Sequence, residues 1–472
     1  PCIGAACIMP RVVIIGGGIS GLSTAYYLAR GGYGSTIVEP RGRLGGVIQT
    51  ERVDGCTIEA GPDSFLSAKP AALDLIRELG LADQVIGSND HLRITYVRKG
   101  GRLVPLPDGL MMMVPTKILP LLTTRLFGLG TKMRMGLELL RRAGPSADDQ
   151  SVTDFVKEHY GAEAVDYLAE PLLSGIYGGD PAELSAASVL PRFVELAAKY
   201  GSLTRGVLAE RVKAARSRKG TAPLPLFRTL KGGLGQMVDR AAAAIQGKTE
   251  VLAGRAETVE RAAAGFRIKV NGAWMEADHV VMACEAHNAS ALLGVVDARL
   301  AELLGTVPYS SSMTVALGFD AADFARTGGG RPNGFGFLVP KKERRRLVAC
   351  TWVGTKFPNR VPEGKVVARC FLGGVGDAGV LAEPDEAIVS AVAAELREIA
   401  GIAAPPRFSR IFRWPRSMAQ YTVGHPQRLA EIERRVLQIP GLYLAGNAYQ
   451  GIGIPDCIRM GKQAAENILT TA

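Results

Sequence analysis

Six residues, Gly16-Gly17-Gly18-Ile19-Ser20-Gly21, constrain this chain more than any other stretch. They follow Arg11-Val12-Val13-Ile14-Ile15, an apolar run of the kind buried on both faces of a parallel sheet. They open a helical period carried by Leu22, Ala25, Leu28 and Ala29, after which Ser35-Thr36-Ile37-Val38-Glu39 reads as a second strand. In that βαβ setting GxGxxG is a dinucleotide cradle. Gly16 permits the tight turn, Gly18 lets a pyrophosphate reach the backbone, Gly21 brings helix and sheet close, and the helix N-terminus faces the phosphate charge. Glu39 ends the second strand about 20 residues beyond the glycines, where a carboxylate accepts hydrogen bonds from an adenosine ribose.

Composition agrees with a large globular chain: 472 residues, 47% of them hydrophobic, can fill more than one core. Lys and Arg outnumber Asp and Glu by 56 to 45, a net charge of +11 that points to an anionic partner such as nucleic acid, a lipid surface or a carboxylate-bearing substrate. The 7 cysteines include no CxxC pair, which excludes a zinc ribbon or disulfide-stapled fold and reads as the reduced thiols of a cytoplasmic chain. The 5 histidines are scattered, without HExxH, so no metal site is expected. No run approaches the roughly 18 apolar residues of a membrane span, and no signal peptide opens the sequence.

Residues 279–284 and 442–445 are further short apolar strands suited to the first sheet, with Glu250-Val251-Leu252 between them and the cradle. Residues 266–270 and 273–275, joined by Asn271-Gly272, read as a β-hairpin. From Pro455, a helical period runs through Cys457, Met460, Ala464 and Ile468. Residues 105–205 carry helical periods broken by Pro115 and Pro120, and read as an insertion. Met9-Pro10 has the look of a natural start, leaving residues 1–8 as an extension outside the fold.

NAD and FAD share such a cradle. Here Glu39-Pro40 is followed by Arg43-Leu44-Gly45-Gly46-Val47 at the spacing of the FAD-binding family that holds amine oxidases, phytoene desaturases and porphyrinogen oxidases, which the sequence resembles. Gly446-Asn447 and Gly451-Ile452-Gly453-Ile454-Pro455 resemble that family's second flavin contact, where a helix N-terminus stabilises negative charge on the reduced ring. Four further blocks resemble the porphyrinogen oxidases in particular: Gly61-Pro62-Asp63-Ser64-Phe65, residues 170–180, residues 334–340, and Gln420-Tyr421-Thr422-Val423-Gly424-His425. The resemblance implies an α/β fold, α+β overall. A Rossmann-like FAD-binding domain would comprise residues 9–88, 228–298 and 425–472, an interleaved mixed-sheet substrate domain 89–108, 206–227 and 299–424, and a helical insertion 109–205.

The implied activity is an FAD-dependent, dioxygen-using, six-electron oxidation of a porphyrinogen to a porphyrin in haem biosynthesis. Protoporphyrinogen-type members often carry Asn where this chain has Asp63, and Arg where it has Thr95, with Arg93 two residues upstream on the same strand face. With residues 114–118 and Asp149-Gln150-Ser151, these departures resemble the bacterial coproporphyrinogen III branch, and a net positive chain suits four carboxylates. Protoporphyrinogen IX remains the alternative substrate, and a flavin amine oxidase or carotenoid desaturase the more distant one.

By the same resemblance, Gly16, Gly17, Gly18, Ile19, Ser20, Gly21, Glu39, Pro40, Arg43, Gly45, Gly46, Val47, Gly61, Pro62, Asp63, Ser64, Trp414, Gly446, Ile452, Gly453 and Ile454 surround FAD. The Gly175 carbonyl faces the pyrrole nitrogens, Leu338 and Phe371 wall the macrocycle, Arg93 and Thr95 stand near its propionates, and Asp63 orients the ring or takes a proton. Ordinary roles compete with each of these: Leu and Phe in strands are usually core, Asp often caps turns, and a turn Arg is usually solvated. Implied partners are the porphyrinogen, dioxygen and a haem-pathway enzyme such as ferrochelatase, with no nucleic acid. A homodimer stays open, as does peripheral contact with the inner face of the cell membrane. The membrane expectation rests on Leu110-Met111-Met112-Met113-Val114, too short to span and followed by Lys117, Arg125, Lys132, Arg134, Arg141 and Arg142. Otherwise these methionines line the porphyrinogen entrance or a dimer contact.

Overall fold

The computed structural model describes residues 11–142, 149–217, 224–326 and 333–471, so the expected extension at 1–8 lies outside the described residues. Five parallel strands form the first sheet, in the order Thr249–Ala253, Ser35–Glu39, Val12–Ile15, His279–Met282 and Leu442–Leu444. The apolar runs read from the sequence lie together because every residue of the central strand, Val12–Ile15, is buried. The helix Ile19–Arg30 follows at once and buries every residue but its last. It is covered by the closing helix Ile454–Thr471. Thr24 Oγ1 donates to the Gly461 carbonyl at 3.1 Å, and a Cβ on Gly461 would collide with the Ser20 carbonyl.

The expected hairpin pairs Phe266–Val270 with Ala273–Ala277 across Asn271 at φ 50° and Gly272 at φ 80°, the left-handed pair that a two-residue turn of this hand requires. A third strand, Ala256–Arg261, extends it. The second sheet has seven strands, in the order Phe408–Ala419, Tyr309–Asp320, Lys365–Gly373, Ala349–Trp352, Gly336–Leu338, Thr95–Lys99 and Arg102–Pro105. Its pairings are antiparallel except that between Gly336–Leu338 and Thr95–Lys99. Along Lys365–Gly373 the period of two sends Ala368 and Cys370 into a core with Ile388, Val392 and Leu396 of the helix Asp385–Ala400, while Arg369 and Phe371 reach a cavity on the other side.

Three sequence expectations need revision. Arg93 is not on a strand: it follows the 3-10 turn Asp90–Leu92, and the strand begins at Thr95, so the period-of-two argument does not reach it. The helix Leu203–Ser217 runs through the 205/206 boundary. Its start is fixed within the insertion, where the buried Glu138 carboxylate accepts from Leu203 N at 2.6 Å, Thr204 N at 3.2 Å and Ser202 Oγ at 2.9 Å. The methionine run is not a continuous surface patch: Leu110–Met111 and Val114–Pro115 form a small hairpin with Met113 and Val114 fully buried, Met112 exposed, and Leu110 and Met112 on the wall of a large cavity. Further exposed apolar residues come next in the chain: Ile118, Leu119 and Leu122 on the helix Ile118–Thr123, Leu129, Met133 and Leu137 on the helix Leu129–Leu137, and Leu140. Among the described residues no helix is long and apolar enough to cross a membrane.

Candidate active site

Residues of both sheets and of the helical insertion line one continuous cavity of about 2230 Å³. The glycine turn forms part of its wall. Gly16 stands at φ 110°, and a Cβ there would lie 2.8 Å from the backbone of Ala283 and Cys284, so only glycine passes beneath the neighbouring strand end. A Cβ on Gly18 would meet no protein atom within 4 Å: the backbone here is bare where a pyrophosphate would approach. Gly18 caps the helix Ile19–Arg30, whose first N–H groups are free to meet an anion. Glu39 is buried and lines the cavity, its Oε2 accepting from Gly17 N at 2.8 Å and its Oε1 from Arg41 N at 2.9 Å. These groups fit the adenosine and diphosphate parts of a dinucleotide.

Of the candidates named from sequence, Ile19, Ser20, Pro40, Gly45, Gly46, Val47, Gly61, Pro62, Ser64, Gly446, Ile452, Gly453 and Ile454 also line this cavity. Gly17, Gly21 and Arg43 do not. Gly17 holds Glu39 from behind, and a Cβ on Gly21 would collide with the Gly16 carbonyl, so both glycines serve packing. The Arg43 guanidinium donates to the Gly46 carbonyl at 2.6 Å and braces its own loop rather than standing beside a diphosphate. Burial lowers its pKa from the ordinary arginine value.

Asp63 lies in a buried charge cluster. Lys356 Nζ reaches its two oxygens at 3.0 and 2.8 Å, Ser64 Oγ donates at 2.6 Å, and Arg369 stands 3.7 Å away. Burial opposes ionisation, but the two cations and the Ser64 hydroxyl outweigh it and hold the carboxyl well below the usual carboxylate range. A carboxylate so paired is a poor proton acceptor, so of the two roles expected for Asp63 the geometry favours orientation. Arg369 also donates to the carbonyls of Glu59 and Gly61, and Trp414 Nε1 donates to the Ala60 carbonyl at 2.9 Å. The segment 59–64 is thereby stapled to the second sheet, with Trp414 both on the cavity wall and in a small core with Cys56, Ile58 and Phe412.

Gly175, Leu338, Phe371, Arg93 and Thr95 also line the cavity. Gly175 belongs to the helix Glu170–Tyr177, which continues from a π-helical turn at Val165–Ala169, and a Cβ on it would lie 3.7 Å from Leu338 Cδ2. The Gln420–His425 block meets the C-terminal glycines: Tyr421 donates to the Asn447 carbonyl at 2.8 Å, accepts from Gly451 N at 2.9 Å, and stacks on His425 with ring centroids 4.1 Å apart. Lys69 Nζ bonds Asp456 at 2.6 Å where the closing helix begins. Burial pushes the Cys284 and Cys457 thiols up to about 12, which makes them inert walls.

Lys356 and Arg369 are the site residues that sequence reading missed. A signal existed for one of them: Arg369 interrupts the apolar run Val366-Val367-Ala368-Arg369-Cys370-Phe371-Leu372, and a charge in a buried strand needs a partner.

Residues 19–469 match the family described as flavin containing amine oxidoreductase. The coproporphyrinogen III oxidase of Bacillus subtilis (strain 168) is 35% identical over 98% of this chain and 98% of its own length. The chloroplastic protoporphyrinogen oxidase 1 of Arabidopsis thaliana is 27% identical over 98% of this chain and 88% of its own. A crystal structure from Exiguobacterium sp. 255-15, provisionally named a protoporphyrinogen oxidase, superposes with a TM-score of 0.86 at 32% identity, covering 99% of this chain and 100% of that one.

Proposed function

Because this chain belongs to the flavin containing amine oxidoreductase family and takes FAD as its cofactor, we propose that it oxidises coproporphyrinogen III to coproporphyrin III, with dioxygen as acceptor. One observation carries the reading: the glycine cradle and all four porphyrinogen-oxidase-like blocks contribute to the wall of a single cavity. Its volume of about 2230 Å³ exceeds the roughly 300–1,000 Å³ of a site for one drug-sized ligand, which leaves room for a macrocycle beside a dinucleotide.

FAD held by the glycine cradle would supply the two-electron acceptor for hydride from a bridging CH₂ of the macrocycle, with dioxygen as the final oxidant and hydrogen peroxide as its product. Three such rounds make the six-electron change. The chain's part is to bind, orient and exclude water. Leu338 and Phe371 form apolar walls, the Gly175 carbonyl accepts from a pyrrole N–H, and ionised Asp63 holds Lys356 and Arg369 in place. Arg93 and Thr95 face the propionates, and Thr95 leaves space that an arginine would fill. The plant relative supports the alternative substrate, protoporphyrinogen IX.

Anaerobic bleaching of the bound flavin, followed by turnover with both porphyrinogens side by side, tests this. Faster turnover of coproporphyrinogen III is expected. An equal or greater rate with protoporphyrinogen IX overturns the substrate assignment, and bleaching by amines alone overturns the reading altogether.

The exposed stripe of Leu129, Met133 and Leu137 on one helical face, beside Ile118, Leu119 and Leu122, is assigned to the headgroup boundary of a membrane, into which a monotopic apolar face can dip without spanning. A second copy of this chain is the competing occupant. A porphyrin product calls next for a metal-inserting enzyme such as ferrochelatase.

A further inference from the structure

We propose that Glu170 is a positioning residue that registers the Gly175 carbonyl against Leu338 and so shapes the macrocycle wall; this rests on the porphyrinogen reading above. Glu170 opens the helix that carries Gly175 and is buried. Its carboxylate ties two parts of the chain together. Oε1 accepts from Ser174 Oγ at 2.6 Å, one turn along its own helix, and from Arg344 Nη2 at 2.8 Å. Oε2 accepts from the backbone N–H of Lys341 at 2.8 Å. Arg344 in turn donates to the Val339 carbonyl from Nε at 3.2 Å and from Nη2 at 3.0 Å. Val339 and Lys341 are the residues through which the chain leaves the strand Gly336–Leu338. One carboxylate therefore fixes both the helix beside Gly175 and the chain just beyond Leu338.

The surroundings bear this out. The π-helical turn Val165–Ala169 feeds directly into Glu170, and such irregular turns concentrate at functional sites because the extra residue rotates the next helical turn to a new direction. Two outer pairs run parallel to the central one: Asp166 with Lys342 at 2.9 Å and Asp180 with Lys341 at 2.8 Å. All the acids of this seam lie on the insertion and all the bases on the turn after the strand. The outer pairs are open to solvent and contribute little. The Glu170–Arg344 pair is shielded, with side chains 10% and 18% exposed, so register depends on it.

The test compares Glu170→Ala, Glu170→Gln and Arg344→Met with wild type, all in the flavin-loaded protein. Coproporphyrin III binding is followed by its visible absorbance, alongside KM and kcat with coproporphyrinogen III, flavin content, and reoxidation of photoreduced enzyme by dioxygen. In Glu170→Ala and Arg344→Met, porphyrin affinity and KM should each worsen about 10-fold, since small misplacements at a reacting site cost that much or more. Flavin content and reoxidation should stay at wild-type values. Glu170→Gln keeps an acceptor oxygen and should recover most of the loss. If Glu170→Ala fails to hold flavin, the other two variants carry the comparison. Wild-type affinity and KM in Arg344→Met, or in a flavin-loaded Glu170→Ala, overturn the positioning role. Failure of the wild type itself to bind porphyrin or oxidise porphyrinogen overturns the functional reading instead.

Discussion

Arg360 is 2% exposed, yet carries a full charge. It is neutralised by Glu59 at 2.9 Å and bonded to Thr229 Oγ1 at 2.6 Å, and Glu59 also accepts from Leu234 N and Thr50 Oγ1. Replacing it by methionine leaves Glu59 buried and unpaired, so Arg360→Met should lower unfolding stability by about 3–5 kcal/mol in a urea titration. Gly18 predicts the opposite separation of fold from function. Because a Cβ there meets no protein atom within 4 Å, Gly18→Val should fold and melt as the cofactor-free wild type does but purify colourless; retention of stoichiometric FAD would remove Gly18 from the cradle. The sequence made Gly18 readable because its neighbours supply strand, turn and helix in order. Lys356 was unreadable, because only the folded chain brings it to Asp63, far away in sequence.

At the scale of elements, the stripe on the helix Leu129–Leu137 makes a separable prediction. Changing Leu129, Met133 and Leu137 together to glutamine should abolish pelleting with anionic lipid vesicles and leave porphyrinogen turnover unchanged in detergent. Unaltered pelleting would move the contact elsewhere, and a shift from dimer to monomer in light scattering would assign the stripe to a second copy. The sequence placed the apolar surface on Leu110–Val114, whereas the exposed stripe lies further along the insertion. Met113 and Val114 are buried by a hairpin with two residues in each strand, a pairing too short to leave a periodic signal. The long-range parallel strands were far easier to read. Burial on both faces writes an apolar run into the inner strands Val12–Ile15 and His279–Met282 regardless of the distance between them.

Across the whole molecule, His279, His287 and His425 are all held below the ordinary histidine pKa, mainly by burial. They remain neutral when folded and take up protons more readily when unfolded. Stability should therefore be fully present above about pH 6.5 and decline as pH falls through that value. Melting temperature should drop between about pH 7.5 and 5.5, and His425→Gln should flatten the decline. A melting temperature that rises on acidification would contradict the sign. The first sheet was legible from short apolar runs and the glycine turn, whereas the second was implied only by the family resemblance. The join between insertion and second sheet was not legible, because it is made by charged residues on surfaces that sequence alone would leave in water.

The first sheet has a consequence for biosynthesis. Its central strand leaves the ribosome more than 400 residues before the edge strand Leu442–Leu444 and the helix that covers Ile19–Arg30. At roughly 5–20 residues per second, an emerging chain waits on the order of 20–85 s with the first βαβ unit uncovered. Cofactor loading therefore belongs after translation, and a nascent chain stalled before Leu442 would present this apolar strand and helix to chaperones rather than to FAD.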